Sequence, residues 1–161
     1  MDQNATLDLS PQKSFGYRLW MLRHAWTRRV EAVLQPTGLT HMQFFMLRML
    51  SVAAETGETP SQVRLADALM VDRMTVSTVL RTLEAKGLIR RGVHPQDPRA
   101  NLVELTPAGA ALNHDGAVLV TVEQERFFGR LGPARQEAFS TMLDDLLDQE
   151  QMRMSHVREH A

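Results

Sequence analysis

Apolar residues recur along this chain with a helical period at both ends and with a shorter, alternating one near residue 100. Phe15, Leu19, Leu22, Trp26, Val30 and Val33 fall three or four positions apart, which predicts a helix from about Ser14 to just before Pro36. Tyr17, Trp20 and Met21 add apolar surface on other sides of it, so this helix needs more than one packing partner. A second helix, about Thr40 to Glu55, is richer still, with Met42, Phe44, Phe45, Met46, Leu47, Met49 and Leu50, and must be central. Further on, a long helix from Pro107 to about Phe128 is expected to turn Ala108, Ala111, Leu112, Leu119 and Val122 inward. The stretch from Gly129 to Pro133 breaks it. The last helix, about Ala134 to Met154, sets Phe139, Met142, Leu143, Leu146 and Leu147 on one face and carboxylates on the other.

The segment between these long helices is organised differently. Leu65, Ala66 and Leu69 give a short helix one narrow apolar edge, and Asp72 then offers a side-chain acceptor to the free N–H groups of a new helix. That second helix buries Val76, Val79, Leu80 and Leu83 and ends at Gly87, while its other face carries Arg73, Thr75, Ser77, Thr78 and Arg81. A pair of helices joined by about four residues, the second with an apolar back and a front of hydroxyls and guanidinium groups, is a helix-turn-helix pattern. Met70 stands where a turn glycine is common, so either the turn is wide or Met70 itself closes the helix. Leu88 to Val93 and Leu102 to Leu105 then read as two short strands around a loop, HPQDPRAN, which makes a β-hairpin wing. Thr106 caps the following helix and Pro107 begins it.

LADALMVDRMTVSTVLRTLEAKGLIRR followed by HPQDPRANLVELTPAG resembles the winged helix of the MarR family of bacterial transcription regulators. The specific marks are Asp97 and Arg99 in the wing and the exit from Leu105 to Gly109, and the resemblance spans roughly Phe15 to Leu147. It implies a mainly α fold with a small β-hairpin wing, in which a winged helix-turn-helix is flanked by N- and C-terminal dimerisation helices. The expected organisation is a flexible arm over residues 1–12 and a single domain over 13–161. The winged helix then occupies about 40–106, and the dimerisation helices about 14–35 and 107–155. A C2 homodimer would bury the apolar outer helices, and would suit a pseudo-palindromic site on double-stranded DNA with half-sites roughly 34 Å apart. Arg73, Thr75, Ser77, Thr78 and Arg81 are the candidates for reading bases in the major groove. Arg99 suits a narrow A·T-rich minor groove, with Asp97 holding its guanidinium in place, as the matching pair does in the family. Arg64, Arg90 and Arg91 are candidates for phosphate contacts.

Charge supports that reading once it is resolved along the chain. The net charge of −1 hides an uneven distribution: residues 13–36 carry five basic side chains against one acidic, and 64–99 carry seven against four. From Glu123 onward, five arginines face eight carboxylates. A basic middle beside an acidic tail confines positive potential to one surface. There are no cysteines, which removes disulfides, thiolate metal sites and thiol redox sensing. No apolar run approaches the roughly 18 residues of a membrane span, and the first twelve residues lack the apolar core of a signal peptide, so a cytoplasmic protein is expected. Phosphate-binding glycine loops and the nucleophile and zinc motifs of hydrolases are absent, which argues against an enzyme.

The input signal is less legible. The resemblance implies a small aromatic or anionic effector, such as a phenolic acid, held between the dimer helices and the winged helix. The residues that suit it are Trp20, Arg23, His24, Phe45, Met46 and Met49, although methionines and aromatics at this spacing are more often core. A zinc-responsive regulator of the same fold is the alternative, but His24, His41 and His114 show no ligand spacing, and no cofactor or metal is expected. A winged helix used only for protein contact is a third reading, which the polar and basic front of the second helix opposes.

Overall fold

The computed structural model describes residues 14–94 and 97–159, and the side chains of these except 93–101, 151 and 154–159. The arm over residues 1–12 lies outside the described residues. Six helices and one hairpin follow in the order α1 (Phe15–Leu34), α2 (His41–Glu55), α3 (Gln62–Ala68), α4 (Arg73–Ala85), β1 (Ile89–His94), β2 (Asp97–Leu105), α5 (Pro107–Phe128) and α6 (Pro133–Glu159). The chain divides into two units, one ending at Thr121 and the other beginning at Val122.

In the first unit, the core is formed by Val30 and Leu34 of α1, Phe44, Met46, Leu47 and Leu50 of α2, and Leu65 and Ala66 of α3. Val76, Leu80 and Leu83 of α4, Ile89 and Val103 of the hairpin, and Leu39 and Leu88 from the connections complete it. The richest apolar helix, α2, is therefore central, as its composition predicts. It begins with a reciprocal cap, in which the Gln43 N–H donates to Thr40 Oγ1 and the Thr40 N–H donates to Gln43 Oε1, both at 3.2 Å.

Three helices end in the same way, and one of them does so on an unusual residue. After α2 and α4 the chain turns through Gly57 and Gly87 at positive φ, with the paired backbone hydrogen bonds of a Schellman motif. After α3 the same two bonds form, Met70 N–H to Asp67 O and Val71 N–H to Ala66 O, and Met70 occupies the left-handed position with φ 51°. Met70 thus closes the helix, the second of the two outcomes its position allows. A side chain in this conformation costs about 1–2 kcal/mol relative to glycine. Met70→Gly is therefore expected to raise stability by about 1 kcal/mol in urea unfolding, and an unchanged or lower midpoint would show the turn to be unstrained.

The hairpin departs from expectation. Asp97 to Asn101 belong to β2, so only Pro95 and Gln96 lie between the strands, where the sequence suggests an eight-residue loop. Pairing runs from Ile89↔Leu105 to Val93↔Asn101 and then jumps to His94↔Asp97. The irregularity leaves Pro98 where it has no ladder hydrogen bond to donate, which is how a proline is tolerated inside a strand. Ser61 bridges to Leu102 on the other side, tying the hairpin to the start of α3.

The buried side of α5 is only partly the predicted one, since Leu112 and Leu119 are half-buried as expected but the other three are not. Ala108, Ala111 and Val122 are exposed, whereas Gly109, Asn113 and Gly116 are buried, with Leu112, Ala117 and Val120 packed partly against the core. At Gly116 an added Cβ would stand 2.9 Å from the Phe44 ring, so the absence of a side chain is what admits Phe44. In the second unit, the Phe128 and Phe139 rings stack with centroids 6.1 Å apart. Phe128, Leu131, Phe139 and Leu143 line a cleft of about 370 Å³ there.

Candidate nucleic-acid interface

Helix α4 is anchored on three sides, and this decides which of its residues face outward. Beneath it, Val76, Leu80 and Leu83 are fully buried. At its start, Asp72 Oδ1 accepts from the Thr75 N–H at 2.8 Å and Oδ2 from the Thr75 hydroxyl at 2.6 Å. Those bonds, the hydroxyl's first, hold the Asp72 carboxyl below the usual carboxylate range, so the cap stays ionised at any pH near neutrality. At its end, Lys86 Nζ donates to Gly38 O at 2.8 Å and to Gln43 Oε1 at 3.1 Å, fastening α4 to the start of α2.

With its back held, α4 presents Arg73, Met74, Thr78 and Arg81 to solvent, and Thr75 and Ser77 are half-buried. The five residues predicted for base reading therefore lie on one helix, but not equally. Thr75 has its hydroxyl proton committed to Asp72, which leaves its methyl and an acceptor lone pair. Met74 was not anticipated. It is 79% exposed, and it falls four residues before Thr78 and seven before Arg81, a helical spacing that could have revealed it.

The supporting arginines separate. Arg90 projects outward and pairs across the strands with Glu104 at 2.7 Å, and Arg64 pairs with Glu58 at 3.1 Å. Both pairs are well exposed and worth little, so both guanidinium groups can exchange a carboxylate for a phosphate at small cost. Arg91 differs, because it shares the inner face of the hairpin with Ile89 and Val103 and lies 3.1 Å from Glu84 of α4. Its Nε and Nη2 are buried, and the pair is close without the alignment of a hydrogen bond. Arg91 therefore braces the wing against α4, and a phosphate contact would require it to leave that position. The alternation from Ile89 through Arg91 to Val93 carries this signal in the sequence. Asp97 and Arg99 lie on β2, and their side chains are outside those described.

The residues suggested for an effector differ in burial. Met46 is wholly buried in the core and is not available to a ligand. Met49 lines a cleft of about 180 Å³ with Pro60, Arg64 and Leu65, which none of the other five lines. Trp20, Arg23, His24 and Phe45 do lie toward the surface, with the Trp20 and His24 rings 4.2 Å apart. His41, not considered among them, joins the group: its ring contacts Phe45 at 4.7 Å, and both Arg23 and Glu31 act on its charge.

Burial holds the His41 imidazole below its ordinary value of 6.5; Glu31 opposes that shift and Arg23 adds to it. Its Nε2 is buried without a hydrogen-bond partner. Because the folded state binds a proton less readily than the unfolded chain, stability is full above pH 6.5 and falls as pH drops below it, until the lower folded-state value is passed. Melting temperatures from pH 7.5 to 5 are expected to drop less steeply in His41→Phe than in the wild type. Equal slopes would assign the acid sensitivity to other groups. Among the described residues, no three His, Asp or Glu side chains gather as a metal site would require, and no helix is long and apolar enough to cross a membrane.

Comparison with known proteins agrees with this geometry. The MarR family model matches residues 39–100, from the approach to α2 into the second strand of the wing. The chain is 36% identical to the uncharacterised HTH-type transcriptional regulator YdcH of Bacillus subtilis, over 87% of this chain and 94% of that one. Among solved structures, it resembles CouR of Rhodococcus jostii RHA1 bound to p-coumaroyl-CoA, at 25% identity and a TM-score of 0.75 over 89% of this chain and 95% of CouR. It also resembles the transcriptional repressor CouR bound to a 23-mer DNA duplex, at 26% identity and a TM-score of 0.77 over 84% and 94% of the two chains. A capped recognition helix on a buried apolar back, a hairpin wing braced to it, and relatives matched over nearly their whole length lead to one conclusion: this chain belongs to the MarR family of winged-helix transcription regulators.

Proposed function

We propose that the protein is a ligand-responsive repressor that binds a pseudo-palindromic operator as a homodimer. The observation that carries this is the exposed face of α4, where Arg73, Met74, Thr78 and Arg81 stand free while cap, core and Lys86 fix the helix. Such a helix enters a major groove with its N-terminal residues at the base edges. CouR, a repressor with a structure on DNA, supports the direction of regulation.

The dimer is supported by apolar side chains with no cover in one chain. On α1, Phe15 is 87% exposed and Leu19 and Trp20 more than half, and on α6 Met142 and Leu146 are each 60% exposed. Surfaces of this kind mark association sites. Two recognition helices related by a two-fold axis then read half-sites about one helical turn apart.

For the input, the reading supported best is an aromatic carboxylic acid or its thioester at the surface formed by Trp20, Arg23, His24, His41 and Phe45. Rings there offer stacking area and Arg23 a charge for an anion; CouR, with p-coumaroyl-CoA bound, supplies the precedent. Release follows if the effector binds better to a dimer whose recognition helices are wrongly spaced for the operator.

Fluorescence anisotropy with the DNA upstream of the protein's own gene tests this. Affinity is expected to fall by orders of magnitude between about 50 and 200 mM salt, and p-coumarate or its coenzyme A thioester should release the DNA. Binding that ignores salt, or a protein that remains monomeric at micromolar concentration, would remove the repressor reading in favour of a protein-contact module.

A further inference from the structure

We infer that Met74 is a specificity-determining residue that reads the 5-methyl group of a thymine in each half-site. This rests on the reading of α4 as the recognition helix. Met74 is the second residue of α4 and is 79% exposed, one of the most exposed large apolar side chains among the described residues. The core of α4 does not use it, since Val76, Leu80 and Leu83 fill the buried side. It stands on the outward line that continues through Thr78 and Arg81, so a surface that accepts those two residues also meets Met74.

The chemistry of the first turn is less polar than its sequence suggests. The Thr75 hydroxyl donates to Asp72 at 2.6 Å, which commits its proton and leaves the Thr75 methyl as the other end of that side chain. Further along, the Thr82 hydroxyl donates to the Thr78 carbonyl at 3.1 Å and is likewise turned to its own helix. A base edge presented to this turn therefore meets, beside the Arg73 guanidinium, the exposed Met74 side chain rather than a free hydroxyl donor. In the major groove the one apolar feature of a base pair is the thymine methyl, and the N-terminal residues of a recognition helix are those that reach base edges. A flexible, polarizable thioether adapts well to such a contact. Arg81, two turns later, is placed for a base with paired acceptors, so the two ends of the helix ask for different bases.

The test uses the full-length protein and a duplex that it selects itself from a random-sequence pool. Each thymine is then replaced in turn by deoxyuridine, which removes one methyl and changes no hydrogen-bonding group. At one thymine per half-site the replacement is expected to weaken wild-type binding about fourfold, or about fifteenfold when both half-sites are changed. Met74→Ala should bind the thymine duplex more weakly and lose this sensitivity at that position alone, while Met74→Leu should retain it. Unchanged melting curves would show that both variants fold. If no deoxyuridine position affects the wild type, or if Met74→Ala loses affinity equally on both duplexes, the inference is wrong while the regulator reading stands. If the wild type selects no sequence from the pool, both fail.

Discussion

Replacing Gly109 by alanine is expected to destabilise the protein by about 3 kcal/mol, out of all proportion to one methyl group. Its Cβ would lie 1.9 Å from the carbonyl oxygen of Leu88 and 2.9 Å from the carbonyl carbon, both backbone atoms, with Leu105 Cδ2 at 3.3 Å. The carbonyl has no freedom to withdraw. It accepts from the Thr106 N–H at 3.1 Å, the Thr106 hydroxyl donates to Gly87 O at 2.8 Å, and Thr106 Oγ1 accepts from the Gly109 N–H at 3.0 Å. These bonds join the end of α4, the base of the wing and the first turn of α5, so room for the methyl must come from separating all three. Since domains of this size are stable by roughly 5–15 kcal/mol, such a loss removes a large share of the total. Urea unfolding measures it, with Gly92→Ala as the control, because nothing lies within 4 Å of the Cβ position at Gly92. A Gly109→Ala variant within about 0.5 kcal/mol of the wild type would mean that the α5 junction yields more easily than its bonding implies.

The second large effect is expected in DNA binding. Arg99→Ala should weaken operator binding by roughly 1–1.5 kcal/mol per half-site, on the order of a hundredfold for the dimer, with the salt slope reduced by about one per arginine lost. The physical reason is the position of Arg99 near the loop end of β2, in a hairpin that the Arg91–Glu84 pair braces against α4. A guanidinium group in a narrow A·T-rich minor groove gains from the concentrated negative potential there. The loss should therefore be greater on sites with A·T-rich flanks than on G·C-rich ones. Arg81→Ala gives the contrast: it should relax preference at one base position and leave the flanking preference intact. Equal losses from Arg99→Ala on both flanks would reduce the wing to a non-specific phosphate contact, and no loss would take it off the DNA.

Arg91→Ala separates the two kinds of arginine in the wing. If its guanidinium braces Glu84, the substitution is expected to cost stability first and to leave the salt slope of binding unchanged.

Some of this protein is written in local pattern, and that part was legible without coordinates. The six helices, the caps at Asp72 and Thr106, the Gly87 ending and the existence of the hairpin follow from period and cap chemistry, which depend on residues a few positions apart. The buried back of α4 follows for the same reason, because Val76, Leu80 and Leu83 repeat at helical spacing. Tertiary structure decided what depends on distant neighbours. The inward side of α5 includes Gly109, Asn113 and Gly116, which no hydrophobicity pattern selects; at the two glycines, close approach to Leu88 and Phe44 rewards small size rather than apolar surface. Met70 takes a glycine's conformation because the connection from α3 to α4 needs a left-handed residue there, whatever the side chain. Arg91 became a brace only when the hairpin register set it on the inner face near Glu84, and Met74 became the most exposed apolar residue of α4 only when cap and core fixed that helix's rotation. Short-range chemistry chose the elements; which face each one turns inward was settled by the packing of chain segments far apart in sequence.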